Sequence, residues 1–207
     1  MSTFNPSSIY FTDMTLERPT TNGNRVANAL KKLNQCYKQG RMPLSAGASD
    51  AQSPASLTQD NVTMLSRVGR MCTEVKPVLI ALLENHLEDT IRRIHGTGDP
   101  RLTNVGRKHM QRAKMYSLVW LWDESLGGET ELTAQDIMNL DAIKTINRRL
   151  GLKRMARDAH EFVQQDAVLW FTYLHHLACL FAFSQGKGMI GPVHVQKAAE
   201  VLQANFK

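Results

Sequence analysis

Cysteine is scarce in these 207 residues: Cys36, Cys72 and Cys179 are odd in number, widely spaced and form no CxxC pair. That excludes a disulfide framework or a zinc ribbon as the source of stability, and it predicts a reducing setting, cytoplasmic or nuclear. The opening residues, MSTFNPSSIY, lack a basic stretch followed by an apolar run, so no secretory signal is legible. Long apolar runs are also rare. The longest, AVLWFTYLHHLACLFAF at 167–183, holds His175 and His176 and falls short of the roughly 20 residues a membrane span needs, so it predicts a buried helix. The GxSxG, HExxH and DxDxDG signatures do not occur, and QGKGMIG at 185–191 lacks the spacing of a phosphate loop. No strand alternation is convincing, and no internal repeat stands out.

What the chain does have is helical periodicity and 43% apolar residues, enough to bury a core without staples. Residues 1–23 mix Ser, Thr, Asn and Pro with scattered apolar residues and predict an extended arm. The first helix is expected over 24–40, with Asn24 as its cap and Val26, Leu30, Leu33 and Tyr37 on one face. Residues 41–57, rich in Ala, Ser, Gly and Pro, predict a flexible linker that leaves this helix free to move. The core then covers 58–207. Thr58 caps a second helix, Pro77 kinks it or opens a third, and Leu79, Leu83, Leu87, Ile91 and Ile94 continue an apolar face to Gly96.

Farther along, a fourth helix is expected from Thr103 to Trp122. A fifth, over about 134–150, starts at the capping box of Thr133 and Asp136, with Leu132 and Ile137 at the positions of a hydrophobic staple. Gly151 ends it, a long helix follows over about 152–184, and Pro192 opens a last one carrying Val195, Ala199, Leu202 and Phe206. The expected class is all-α: a globular core of about six to seven helices with an extended N-terminal arm and a flexible linker.

Charge is uneven. The net charge is +6, and residues 101–157 hold eleven Lys and Arg against six acids, the pattern of a polyanion-binding surface. The stretch KTINRRLGLKRMARD at 144–158 divides at Gly151. Lys144, Arg148 and Arg149 fall near a helix C-terminus, where the macrodipole favours cations. Lys153, Arg154 and Arg157 fall in the first turns of the next helix, where it favours anions; a bound phosphate would resolve that conflict. Asp141, Asp158 and Glu161 offer the plainer alternative of a solvated, ion-paired face. A second cluster, Arg101, Arg107, Lys108, Arg112 and Lys114, lies beside Tyr116, Trp120 and Trp122, and phosphates and stacked bases could share such a groove.

His175 and Cys179, four apart on a helix, could share a metal with His86, His95 or His160, but that spacing in an apolar helix reads as core, and no metal or cofactor is expected. These features predict a non-enzymatic, self-assembling nucleic-acid-binding protein of RNA-packaging type. Its partners are single-stranded RNA and, through the arm, further copies of itself. The organisation is similar in kind to the nucleocapsid and coat proteins of helical viruses, a resemblance that transfers no site residues. Two alternatives differ in what the cations and histidines do: a matrix or adaptor protein meeting an acidic protein or membrane surface, and a small enzyme built around the histidine-rich helix.

Overall fold

The computed structural model of the protein describes residues 20–39, 44–45, 70–96, 104–106 and 129–205, and in these residues the apolar periods become six helices. Helix α1 spans Gly23–Lys38; its cap is Asn22, whose side chain accepts the Asn24 N–H at 2.9 Å. Its face of Val26, Ala29, Leu33 and Tyr37 is fully buried in the same core as the later helices. The helix is therefore anchored rather than free. Strand β1 (Leu44–Ser45) pairs antiparallel with β4 (Glu129–Thr130). The arm over 1–19 and the rest of the 41–57 linker lie outside the described residues.

Helix α2, Val75–Gly96, has Pro77 in its first turn, where the missing N–H costs nothing, and buries Leu79, Leu83, Leu87, Ile91 and Ile94 as their spacing requires. The second helix, expected from Thr58, falls outside the described residues up to Gly69; Arg70–Met71 form strand β2 instead. The helix expected from Thr103 is also displaced at its start, because Asn104–Val105 form strand β3. Residues 107–128 lie outside the described set.

The helix expected over 134–150 is two helices, α3 (Ala134–Ile137) and α4 (Leu140–Arg149). The capping box is present at α3: Asp136 accepts from the Thr133 N–H at 2.7 Å. Met138 then turns extended, with φ −155 and ψ 158, and its carbonyl accepts from Gln164. Asn139 caps the new start by accepting the Ala142 N–H at 2.9 Å. At its other end α4 stops as expected. Gly151 has φ +64, its N–H reaches the Arg148 carbonyl, and the Leu152 N–H reaches that of Asn147, the paired bonds of a Schellman ending.

The long helix α5 is Arg157–Ser184, starting later than expected because Arg154–Met155 form strand β5. It has the length and composition of a membrane-crossing helix, but Phe162, Phe171 and Leu174 are buried in the protein core. Strand β6 (Met189–Ile190) and helix α6 (Pro192–Asn205) complete the chain, with Val195, Ala199 and Leu202 turned inward.

The strand pairing exposes an internal repeat. Two units, β2–α2–β3 and β5–α5–β6, each place a long helix between two-residue strands. They join reciprocally and in parallel: β2 pairs with β6 and β3 with β5. The details match across the two joints. Arg70 faces Met189 as Arg154 faces Asn104, and Met71 faces Ile190 as Met155 faces Val105. The Cys72 N–H donates to Ile190 as the Ala156 N–H donates to Val105. A polar tie links the two long helices as well. His86 Nε2 lies 2.8 Å from the buried Asp166 carboxylate, and its ring stacks on Trp170 at 4.5 Å. A buried carboxylate is tolerable only with such a partner.

Candidate nucleic-acid interface

Each parallel joint carries a basic edge. A strand alternates its side chains between two faces, so once Met155 is buried, the neighbouring Arg154 points to solvent. Lys153, before it, is exposed too, and no ion pair among the described residues engages Arg154. Arg70 stands at the matching place in the other joint and is likewise exposed. The loop leading to β6 adds exposed Lys187 beside Gly186, whose φ of +65 ends α5 in the same left-handed manner as Gly151 ends α4.

The chain folds like a histone. The likeness is to the crystal structure of the histone from Methanopyrus kandleri, with a TM-score of 0.53 at 11% identity, covering 86% of this chain and 92% of that one. No protein-family model and no curated protein matches the sequence. Likeness at this identity concerns the all-α, histone-like fold.

Within that fold the expected site residues separate. Lys153 and Arg154 share the β5 edge. Arg157 begins α5, 85% exposed, and spends its guanidinium on Glu161 at 2.9 Å. Lys153 and Arg154 precede the helix rather than lying in its first turns, so the electrostatic conflict expected there applies to Arg157 alone, which Glu161 relieves. Arg148 is exposed in the last turn of α4. Arg149, though exposed, reaches across to α2: it bonds Glu88 and lies 3.9 Å from Glu84, and it also reaches Thr20. That geometry makes it a clamp between α4 and α2. Lys144 pairs with Asp141. Arg101, Arg107, Lys108, Arg112 and Lys114 lie outside the described residues, as do Tyr116, Trp120, Trp122 and residues 1–19 of the arm.

Sequence reasoning missed Arg70 and read Lys187 only as part of a flexible turn. Two faint signals mark the second edge: the dipeptide Arg-Met, found also at 41–42, recurs at 70–71 and 154–155, and Gly-x-x-His recurs at 106–109 and 191–194.

The histidine-rich helix shows a different chemistry. His175 is 1% exposed, stacks on Tyr37 with ring centres 5.6 Å apart, and has its Nδ1 3.8 Å from Cys179 Sγ. Burial and the neighbouring His176 bring its imidazole down to about 3, and burial pushes the Cys179 thiol up to about 12. A neutral ring beside an un-ionised thiol is core, not a nucleophile. His86 and His95 are engaged elsewhere, with Asp166 and Asn147, and no cluster of three metal-ligating side chains forms among the described residues.

Proposed function

We propose that the protein is a non-enzymatic architectural protein that grips duplex DNA by its phosphates at two equivalent basic edges. The observation that carries this reading is the matched placement of Arg70 and Arg154, each exposed on the first residue of a reciprocal parallel joint. Two contacts held rigidly by a pseudo-twofold protein fit the antiparallel strands of a duplex, because their backbones are themselves related by twofold axes. The histone-like fold supports the same choice, since histones wrap DNA through backbone contacts without reading bases. Single-stranded RNA, which the composition and arm suggested, is the second reading and enters the same experiment.

The test is a titration of a fluorescent duplex of about 30 base pairs, and of a single strand of equal length, across a range of salt. Each phosphate contact contributes about 0.9 to the slope of log K against log[salt]. Arg70→Ala and Arg154→Ala should each lower the duplex slope by about that amount, and the double variant by about twice it. Lys31→Ala, an exposed change on α1, should leave it alone. Tighter binding of the single strand, or a Lys31 effect equal to that of Arg154, would overturn the duplex reading.

A further inference from the structure

The loop that carries Lys153 and Arg154 is short and mechanically demanding. It leaves α4 through a left-handed glycine and enters β5, a strand of two residues, too small a ladder to fix a loop by itself. Asn147, in the last turns of α4 and 7% exposed, supplies what the ladder cannot. Its amide nitrogen donates to the Lys153 carbonyl at 3.0 Å, closing the turn around Gly151, and its main-chain carbonyl accepts the Leu152 N–H at 3.4 Å. With the nitrogen so used, Oδ1 must accept, and His95 Nε2 lies 2.9 Å from it as the donor. Facing an acceptor, that nitrogen must carry the ring proton, so the contact selects the Nε2–H form of His95. His95 belongs to the last turn of α2, in the other repeat.

We propose that Asn147, oriented by His95, is the positioning residue that holds the 150–154 loop in the shape presenting Arg154 to phosphate. One repeat thereby sets the binding edge of the other, and the edge is rigid before the ligand arrives, which removes an ordering cost from binding. The proposal rests on the duplex reading of this edge. Its chemistry makes a sharp distinction between substitutions. Asn147→Asp keeps the acceptor for His95 but sets a carboxylate against the Lys153 carbonyl. His95→Gln keeps an N–H donor for Asn147.

The experiment measures duplex affinity against salt and, without DNA, hydrogen exchange at the amides of Leu152 to Met155. Asn147→Asp and Asn147→Leu should speed loop exchange and lower the slope by about 0.9, as Arg154→Ala does. His95→Gln should stay near wild type, and Asn147→Asp placed on Arg154→Ala should lower the slope no further. If Asn147→Leu fails to fold by circular dichroism, Asn147→Asp and His95→Gln decide. An Arg154 effect on the slope, with wild-type slope and loop exchange in Asn147→Asp, overturns the latch and leaves the duplex reading standing. Absence of any salt-dependent duplex complex in the wild type overturns the duplex reading and the role of the loop in binding, and wild-type loop exchange in Asn147→Asp overturns the latch itself.

Discussion

His175 shows how one residue can tie stability to pH in this core. Its Nε2 is buried without a hydrogen-bond partner among the described residues, and its ring lies flat against Tyr37. Folding holds its imidazole down to about 3, and that of His176 down to about 4. In the unfolded chain each titrates near about 6.5, so below that pH the unfolded state binds more protons. The stability is whole above about pH 6.5 and drains away as pH falls toward the folded values, by about 2–3 kcal/mol from His175 alone at about pH 4.5. His175→Phe keeps a ring against Tyr37 and removes the titration. Denaturant unfolding should place the variant within about 1.5 kcal/mol of wild type at neutral pH. The variant should then gain on wild type by about 2–3 kcal/mol on acidification to about pH 4.5. Equal acid losses in both proteins would assign the pH dependence elsewhere. Arg149 makes the complementary point about charge. From sequence it is one of six cations around Gly151, while in the fold Glu84 and Glu88 occupy it, because a partner on α2 cannot be read from helix-end electrostatics.

Elements were legible where a local rule suffices and illegible where a distant partner decides. The buried stripes of α1, α2 and α6, the capping box at Thr133 and the stop at Gly151 all follow from spacing and turn chemistry within a few residues. The break between α3 and α4 does not. It needs Gln164, on another helix, to take the Met138 carbonyl, although Asn139 supplied an unheeded cap. The strands are harder still, since two residues cannot show alternation and their partners lie far along the chain. Gly151 permits a clean elemental test. At φ +64 a side chain meets no atom within 4 Å, so the whole cost of Gly151→Ala is backbone strain, about 1–2 kcal/mol. Gly96 also has open space around it but no left-handed φ, and Gly96→Ala should be neutral or stabilising by about 0.4–1 kcal/mol. Urea unfolding of the two variants should therefore shift in opposite directions, and a common direction would mean that Gly151 is not conformationally required.

At the scale of the molecule the reciprocal joints make the two repeats mutually dependent. Among the described residues neither β2 nor β5 has a partner in its own repeat, and α2 and α5 tie across the boundary through His86 and Asp166. This relation was hidden in the sequence because the halves share little beyond an Arg-Met pair and a Gly-x-x-His pattern: apolar burial tolerates Leu79 in one helix and Val163 in the other, so packing preserves hydrophobicity and discards identity. The dependence is open to dissection. A fragment of residues 133–207 contains α3 to α6 but lacks α1, α2, β2 and β3. Folded alone as a monomer it would expose much of the apolar surface of α5, about 1.5–3 kcal/mol for each large side chain no longer covered, and leave the edges of β5 and β6 unpaired. It should instead be unfolded at low concentration, or recover helix only by pairing with a second copy that stands in for the missing repeat. Circular dichroism and light scattering across a dilution series should show helicity rising together with a mass of two chains. A helical fragment that keeps the mass of one chain at every concentration would mean that the second repeat is an independent domain, and that the matched basic edges are held by something other than the reciprocal joints.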